Sequence, residues 1–255
     1  MRLHFREYGS GDRPLLILHG LFGSADNWHT IARRLGERFR VVTADLRNHG
    51  KSPHSDVFTF PAMAGDVAEL IDELGGGPVD LAGHSLGGKV AMELALSRPE
   101  LVRRLVSLDM APKEYPPHHT ELRDALLSLD LERIGSRKEA ERQLSLRVHD
   151  RAVVLFLLKS LVHRGDGGFA WQLNLRGIAD SFSETGKPIE GGRSFGGPAL
   201  FLVGALSDYV DPAADLSLIR SLFPQAVIRR VEAAGHWLHA EQPEQIIAAL
   251  AGFLA

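Results

Sequence analysis

Pro78-Val79-Asp80-Leu81-Ala82-Gly83-His84-Ser85-Leu86-Gly87-Gly88-Lys89-Val90-Ala91 decides the fold. Its first part is a short apolar run. After Ser85, the residues Leu86, Val90, Ala91, Leu94 and Ala95 recur at helical spacing, so a strand gives way to a helix at Ser85. A chain that turns this sharply holds its central residue in a strained backbone conformation, and glycines on either side leave the room that a Cβ would occupy. The Ser85 hydroxyl is pushed into the open. The helix beginning at Leu86 directs its first unpaired amides to the same place, where negative charge developing on an oxygen would be stabilised. The stretch reads as a nucleophile elbow.

Its surroundings support that reading. Upstream, Leu15-Leu16-Ile17-Leu18-His19-Gly20-Leu21-Phe22-Gly23 reads as a fully buried strand ending in a glycine-rich turn, with a helix from about Asn27. This turn is where the second oxyanion donor belongs, the backbone N–H of Leu21 beside that of Leu86. Downstream, Gly235-His236-Trp237 follows the apparent strand Ala226–Val231 and places a histidine in a loop. The chain order is serine, acid, histidine, the order of the α/β-hydrolase architecture and of neither common serine-protease fold.

Five segments carry a resemblance that covers nearly the whole chain: Leu18-His19-Gly20-Leu21-Phe22-Gly23-Ser24, Asp45-Leu46-Arg47-Asn48-His49-Gly50-Lys51-Ser52, Gly83 to Lys89, Asp109-Met110-Ala111-Pro112, and Ala234-Gly235-His236-Trp237-Leu238-His239-Ala240-Glu241. Together they resemble the α/β-hydrolases of the small bacterial YbfF-like esterase group, which is similar to mammalian abhydrolase domain-containing protein 11. The resemblance implies a carboxylesterase acting on small acyl esters or thioesters, without a cofactor.

Composition agrees. With 255 residues, 44% of them hydrophobic, the chain can build one α/β domain with a sizeable core. A formal net charge of −3 offers no field for nucleic acid or an acidic membrane. Cysteine is absent, which removes disulfides, thiolate nucleophiles and Cys-ligated metals. The first residues alternate like a strand and lack the apolar core of a signal peptide, and apolar stretches such as Ala152 to Leu158 fall far short of a bilayer span. A cytoplasmic protein without nucleic-acid or membrane partners is expected.

From Arg2 to Asp109 short β-like runs alternate with helical patterns, the signature of a mostly parallel sheet covered on both faces. The strand candidates are Arg2–Tyr8, Leu15–His19, Arg40–Asp45, Val79–Ala82 and Val102–Leu108; a helix after Pro61 presents Met63, Val67, Leu70, Ile71 and Leu74 on one face. From Pro112 to about Gly197 the pattern is helical only, in Thr120–Leu129, Lys138–Val148, Asp150–Leu161 and Trp171–Ser181; strand character resumes at Pro198. Residues 112–197 are therefore expected to form a helical cap inserted in a core of 1–111 and 198–255, roofing a pocket above Ser85. Gly165, Gly167, Gly168, Gly191, Gly192, Gly196 and Gly197 would be its joints.

A serine hydroxyl attacks well only when a base takes its proton, and His236 is placed for this. In many α/β-hydrolases the acid lies three residues after a glycine closing the next-to-last strand. Counted from Gly204, that position is Ser207, with Asp208 one residue later. Asp109, at the end of the strand after the elbow helix, is the other family position, and its setting matches the esterase group. Asp109 is taken as the acid, Ser207 as an auxiliary hydrogen-bond partner of His236, and Asp208 or Asp211 as alternatives. Phe22, Trp171 and Trp237 are candidates for the acyl pocket. Asp45, Arg47 and His49 are read as pins of their loop, and His19 and His84 as packing histidines. His236 and His239 lack an HExxH pattern or third ligand, so no metal is expected, and Gly50-Lys51-Ser52 lacks the earlier glycine of a phosphate loop. The same scaffold also carries thioesterases, perhydrolases, C–C bond hydrolases and ligand receptors that retain the triad. A dehalogenase or epoxide hydrolase would need a carboxylate where Ser85 stands.

Overall fold

Strand β2 (Pro14–Leu18) is buried at every position and divides its side chains between two cores. Leu15 and Ile17 pack on one face with helix α1 (His29–Leu35), while Leu16 and Leu18 pack on the other. This two-sided burial turns alternation into an unbroken apolar run, as expected of a central parallel strand. In a computed structural model describing every residue except 117, 118 and 166, β2 belongs to a seven-stranded sheet. The other strands are β1 (Phe5–Tyr8), β3 (Arg40–Ala44), β4 (Val79–His84), β5 (Val102–Leu108), β8 (Ala199–Gly204) and β9 (Ala226–Val231), in the order β1-β3-β2-β4-β5-β8-β9. Only β1 runs antiparallel to its neighbour, β3. Helices α2 (Phe60–Glu73) and α3 (Leu86–Ser97) cover the face of Leu16 and Leu18; α1 and α10 (Pro243–Leu254) cover the other. The fold is the expected α/β-hydrolase architecture.

Between β5 and β8, the described residues of 112–197 add no strand to this sheet. They supply α4 (Thr120–Leu127), α5 (Arg137–Leu144), α6 (Arg151–Leu158) and α7 (Leu175–Asp180), each shorter than its sequence pattern suggested. Ser136, Asp150 and Asn174 each accept an amide of the first turn and set the starts of α5, α6 and α7, while most of the shortening lies at the C-terminal ends. The expectation of helices alone is corrected by a small antiparallel hairpin, β6 (Leu161–His163) with β7 (Phe169–Trp171). Three-residue strands are too short to show a period, and the intervening glycines read as a joint when they are a hairpin turn, with Arg164 N–H on the Gly168 carbonyl at 2.7 Å.

The two ends of this segment are tied together. Ile189 N–H donates to the Pro112 carbonyl and Tyr115 N–H to that of Gly186. Lys89, fully buried one turn into α3, donates its ammonium protons to the carbonyls of Lys113 and Lys187, one from each end. Burial pushes its amine down to about 7.

Candidate active site

Ser85 sits between β4 and α3 with φ 52° and ψ −117°, outside the regions that L-residues favour. The flanking glycines permit it. A Cβ on Gly83 would lie 2.1 Å from the Gly87 carbonyl oxygen, and one on Gly87 would lie 2.6 Å from the carbonyl oxygens of Leu18 and His19. Asp109, the residue after β5, also has positive φ (52°) and is held by its own N–H on the Leu202 carbonyl at 2.7 Å. His236 lies in the loop between β9 and α9 (Leu238–Glu241); Glu241 accepts Gly235 N–H at 2.8 Å and His84 Nε2–H donates to the His236 carbonyl at 2.8 Å. Burial holds the His84 imidazole far below its ordinary pKa, so it is the neutral donor this bond requires.

These three loops converge at the carboxyl ends of the strands. Ser85 Oγ donates to His236 Nε2 at 3.0 Å, and His236 Nδ1–H donates to Asp109 Oδ2 at 2.8 Å. The Asp109 carboxylate is fully occupied: Gly204 N–H donates to Oδ1 at 3.0 Å and the Ser207 hydroxyl to Oδ2. Ser207 therefore serves the carboxylate and not the imidazole; with Gly204 fixing Oδ1, its hydroxyl falls over Oδ2. Asp208 points to solvent. Asp211 accepts the amides of Ala213 and Ala214 and shapes a turn. Of the three candidate acids, Asp109 alone meets the histidine in this geometry.

The chain matches the alpha/beta hydrolase fold family over residues 13–243. It belongs to that family. At 40% identity it is similar to the sn-1-specific diacylglycerol lipase ABHD11 of Danio rerio, over 96% of this chain and 80% of that protein. It is 34% identical to Esterase YbfF of Escherichia coli, over 94% of this chain and 92% of that protein, which places this hydrolase in the YbfF-like group. Among solved structures it superposes on a marine microorganism esterase with a TM-score of 0.96 at 39% identity, covering 99% of each chain. It also resembles E-2-(acetamidomethylene)succinate hydrolase, with a TM-score of 0.80 at 26% identity, covering 99% of this chain and 94% of that one.

Electrostatically the site of this α/β-hydrolase is dry. Burial pushes the Asp109 carboxyl up to about 6, against the hydrogen bonds from Ser207 and Gly204, which favour its charge. His19 and His49 are also lowered by burial, His49 to about 3. Both act as neutral Nδ1–H tautomers. His19 donates to the Gly20 carbonyl and accepts Leu46 N–H; His49 donates to the Arg47 carbonyl and accepts Phe22 N–H at 3.2 Å. Asp45 accepts the amides of Ala25 and Lys51, and Arg47 forms a buried ion pair with Asp66, so this loop is pinned as its sequence suggested.

Ser85 faces two small cavities of about 20 and 30 Å³. Leu21 lines both and Leu86 the second, at the first turn of α3. Phe22 and Trp237 line the first, together with His119, Leu122 and Phe156 from the inserted segment. Trp171 does not line either. It is held in β7 opposite Leu161, half-buried against the core. A groove of about 470 Å³ adjoins the first cavity through His119, Leu122 and Trp237. Sequence reasoning missed His119, Phe156 and Tyr209, whose ring lies on the His236 imidazole; Tyr209 follows Ser207 by two residues, the one signal that could have found it. His239 stacks on Trp28, and no group of three or more His, Cys, Asp or Glu among the described residues is arranged to hold a metal ion. No described helix is long and apolar enough to cross a membrane.

Proposed function

We propose that this hydrolase cleaves short- to medium-chain carboxylic esters through an acyl-enzyme on Ser85. The observation that carries the proposal is the unbroken hydrogen-bond relay from Ser85 Oγ through His236 to Asp109. His236 takes the hydroxyl proton as Ser85 attacks the ester carbonyl, and Asp109 fixes the tautomer and stabilises the imidazolium. The amides of Leu86 and Leu21 receive the oxyanion; the neighbouring Phe22 amide is engaged by His49. The imidazolium then protonates the departing alkoxide, and a water activated by His236 releases the acid.

Residues 112–197 act as a cap over a core of 1–111 and 198–255, since His119, Leu122 and Phe156 roof the first cavity. The small space beside Ser85 supports a compact acyl group, with the adjoining groove taking the remainder of the substrate. The sn-1 ester of a diacylglycerol, named for the ABHD11 relatives, presents the same chemistry with a longer chain. Hydrolysis of p-nitrophenyl esters of graded length, beside an emulsified diacylglycerol, tests the assignment. Acetate to octanoate should be cleaved faster than palmitate or diacylglycerol, and a fluorophosphonate should add once to the native chain and not to Ser85→Ala. Faster palmitate hydrolysis would overturn the size preference; an adduct on Ser85→Ala would overturn the nucleophile.

A further inference from the structure

Tyr209 lies in the loop after β8, and its ring is stacked on the imidazole of His236 with centroids 3.6 Å apart and planes 15° apart. Few side chains are fixed as firmly. Its N–H donates to Ser207 Oγ at 3.2 Å, its carbonyl accepts the Tyr115 hydroxyl at 2.9 Å, and its own hydroxyl bonds His119 Nε2 at 2.8 Å. Tyr209 is 8% exposed and lines the second cavity beside Ser85. Tyr115 and His119 both belong to the inserted segment, while Ser207 touches Asp109. Backbone and hydroxyl are thus held from three directions, which fixes the ring over the imidazole.

We infer that Tyr209 is a positioning residue for ester hydrolysis, whose π face stabilises the imidazolium that His236 becomes in each transition state. An aromatic face attracts a cation through its quadrupole, most strongly when the pair is desolvated and the cation lies over the ring. Neutral imidazole gains little of this. The contact is therefore stronger in the transition state than in the ground state, which is the condition for raising turnover. Asp109 supplies the in-plane partner of the same imidazolium, and Tyr209 one of its faces. Among the described residues the other titratable groups near His236 are His84, whose ring lies 4.9 Å away, His119 at 5.9 Å, and His239 on α9. Burial keeps His84 and His239 neutral, so neither competes as a cation. Asp208 acts at one remove, by raising Asp109.

The inference rests on His236 being the base proposed above, and the test separates the two. Tyr209→Phe keeps the ring and removes the hydroxyl; replacing residue 209 with mono-, di- and trifluorophenylalanine then drains the π face at nearly constant shape. Relative to Tyr209→Phe, kcat should fall stepwise with fluorination, about two- to tenfold in all, and the acid limb of kcat/KM should move stepwise to lower pH. The sign follows from the cation: a weaker π face disfavours imidazolium, so His236 loses its proton at lower pH. Packing or thermal stability alone would not track fluorine number. An active series with unchanged limb and kcat would overturn the inference while leaving the triad intact. Retained turnover in His236→Ala would instead overturn the function on which it rests.

Discussion

Asp109→Asn should inactivate the protein and stabilise it at once. The carboxyl is completely buried, and its pKa rises from an ordinary 3.8 to about 6. The native state therefore binds this proton more tightly than the unfolded chain does. Between about pH 4 and 6 the unfolded carboxyl is already ionised while the native one is not, so stability falls as pH rises through this window. Above it the full cost of a buried charge is present, ~3 kcal/mol at ~1.36 kcal/mol per pH unit. An asparagine carries no charge and fits the same partners. Its carbonyl accepts Gly204 N–H, and its amide faces Ser207 Oγ and His236 Nδ1, both able to accept. Urea unfolding at half-unit steps from pH 4 to 8 should show the two proteins alike near pH 4, and the variant gaining up to ~3 kcal/mol by pH 7. Ester turnover should fall by about 10⁴, because the amide selects the wrong imidazole tautomer and cannot stabilise its cation. A variant less stable than the native chain at pH 8, or a stability gap independent of pH, would refute the reasoning.

The Ser207 hydroxyl holds the Asp109 pKa down, so Ser207→Ala should lower turnover about tenfold and move the acid limb of kcat/KM to higher pH; an unmoved limb would contradict this. Asp208→Asn should change turnover less than twofold, since the side chain is exposed and touches neither Ser85 nor His236, and steady-state kinetics at pH 8 measures it. Lys89→Met leaves the backbone ties but removes two of the bonds that tie the ends of the inserted segment, each about 0.5–1.5 kcal/mol and up to about 3 when the amine is charged. Limited proteolysis with cleavage sites read by mass spectrometry should then cut within 112–197 at least tenfold faster and spare the sheet.

What could be read before the structure was what the chain writes locally. The Gly83–Gly87 elbow, the buried run at β2 and the histidine after β9 each carry their signal within a few neighbouring residues. The acid stayed ambiguous because Asp109 and Asp208 sit in loops that meet only when β5 and β8 pair. The β6–β7 hairpin escaped because strands this short leave no periodicity, and Trp171 with it, since its partner Leu161 lies across the turn. The contact between Tyr209 and His236 is hinted at only by Tyr209 standing two residues after Ser207. It depends on the ends of β8 and β9 being adjacent, and on a hydrogen bond from the inserted segment.

The backbone ties bring the two ends of that segment together beside the sheet. Ile189 meets Pro112 and Tyr115 meets Gly186 through backbone hydrogen bonds, and the second tie needs a glycine, since a Cβ on Gly186 would lie 2.5 Å from the Tyr115 carbonyl oxygen. Whatever lies between those ties returns the chain to its starting point, and lengthening it costs the core only the slow logarithm of loop closure. The length of the segment can therefore change, provided that His119 and Tyr115 keep their bonds to Tyr209 beside His236. Length is cheap between those ties; the contacts that reach His236 are not.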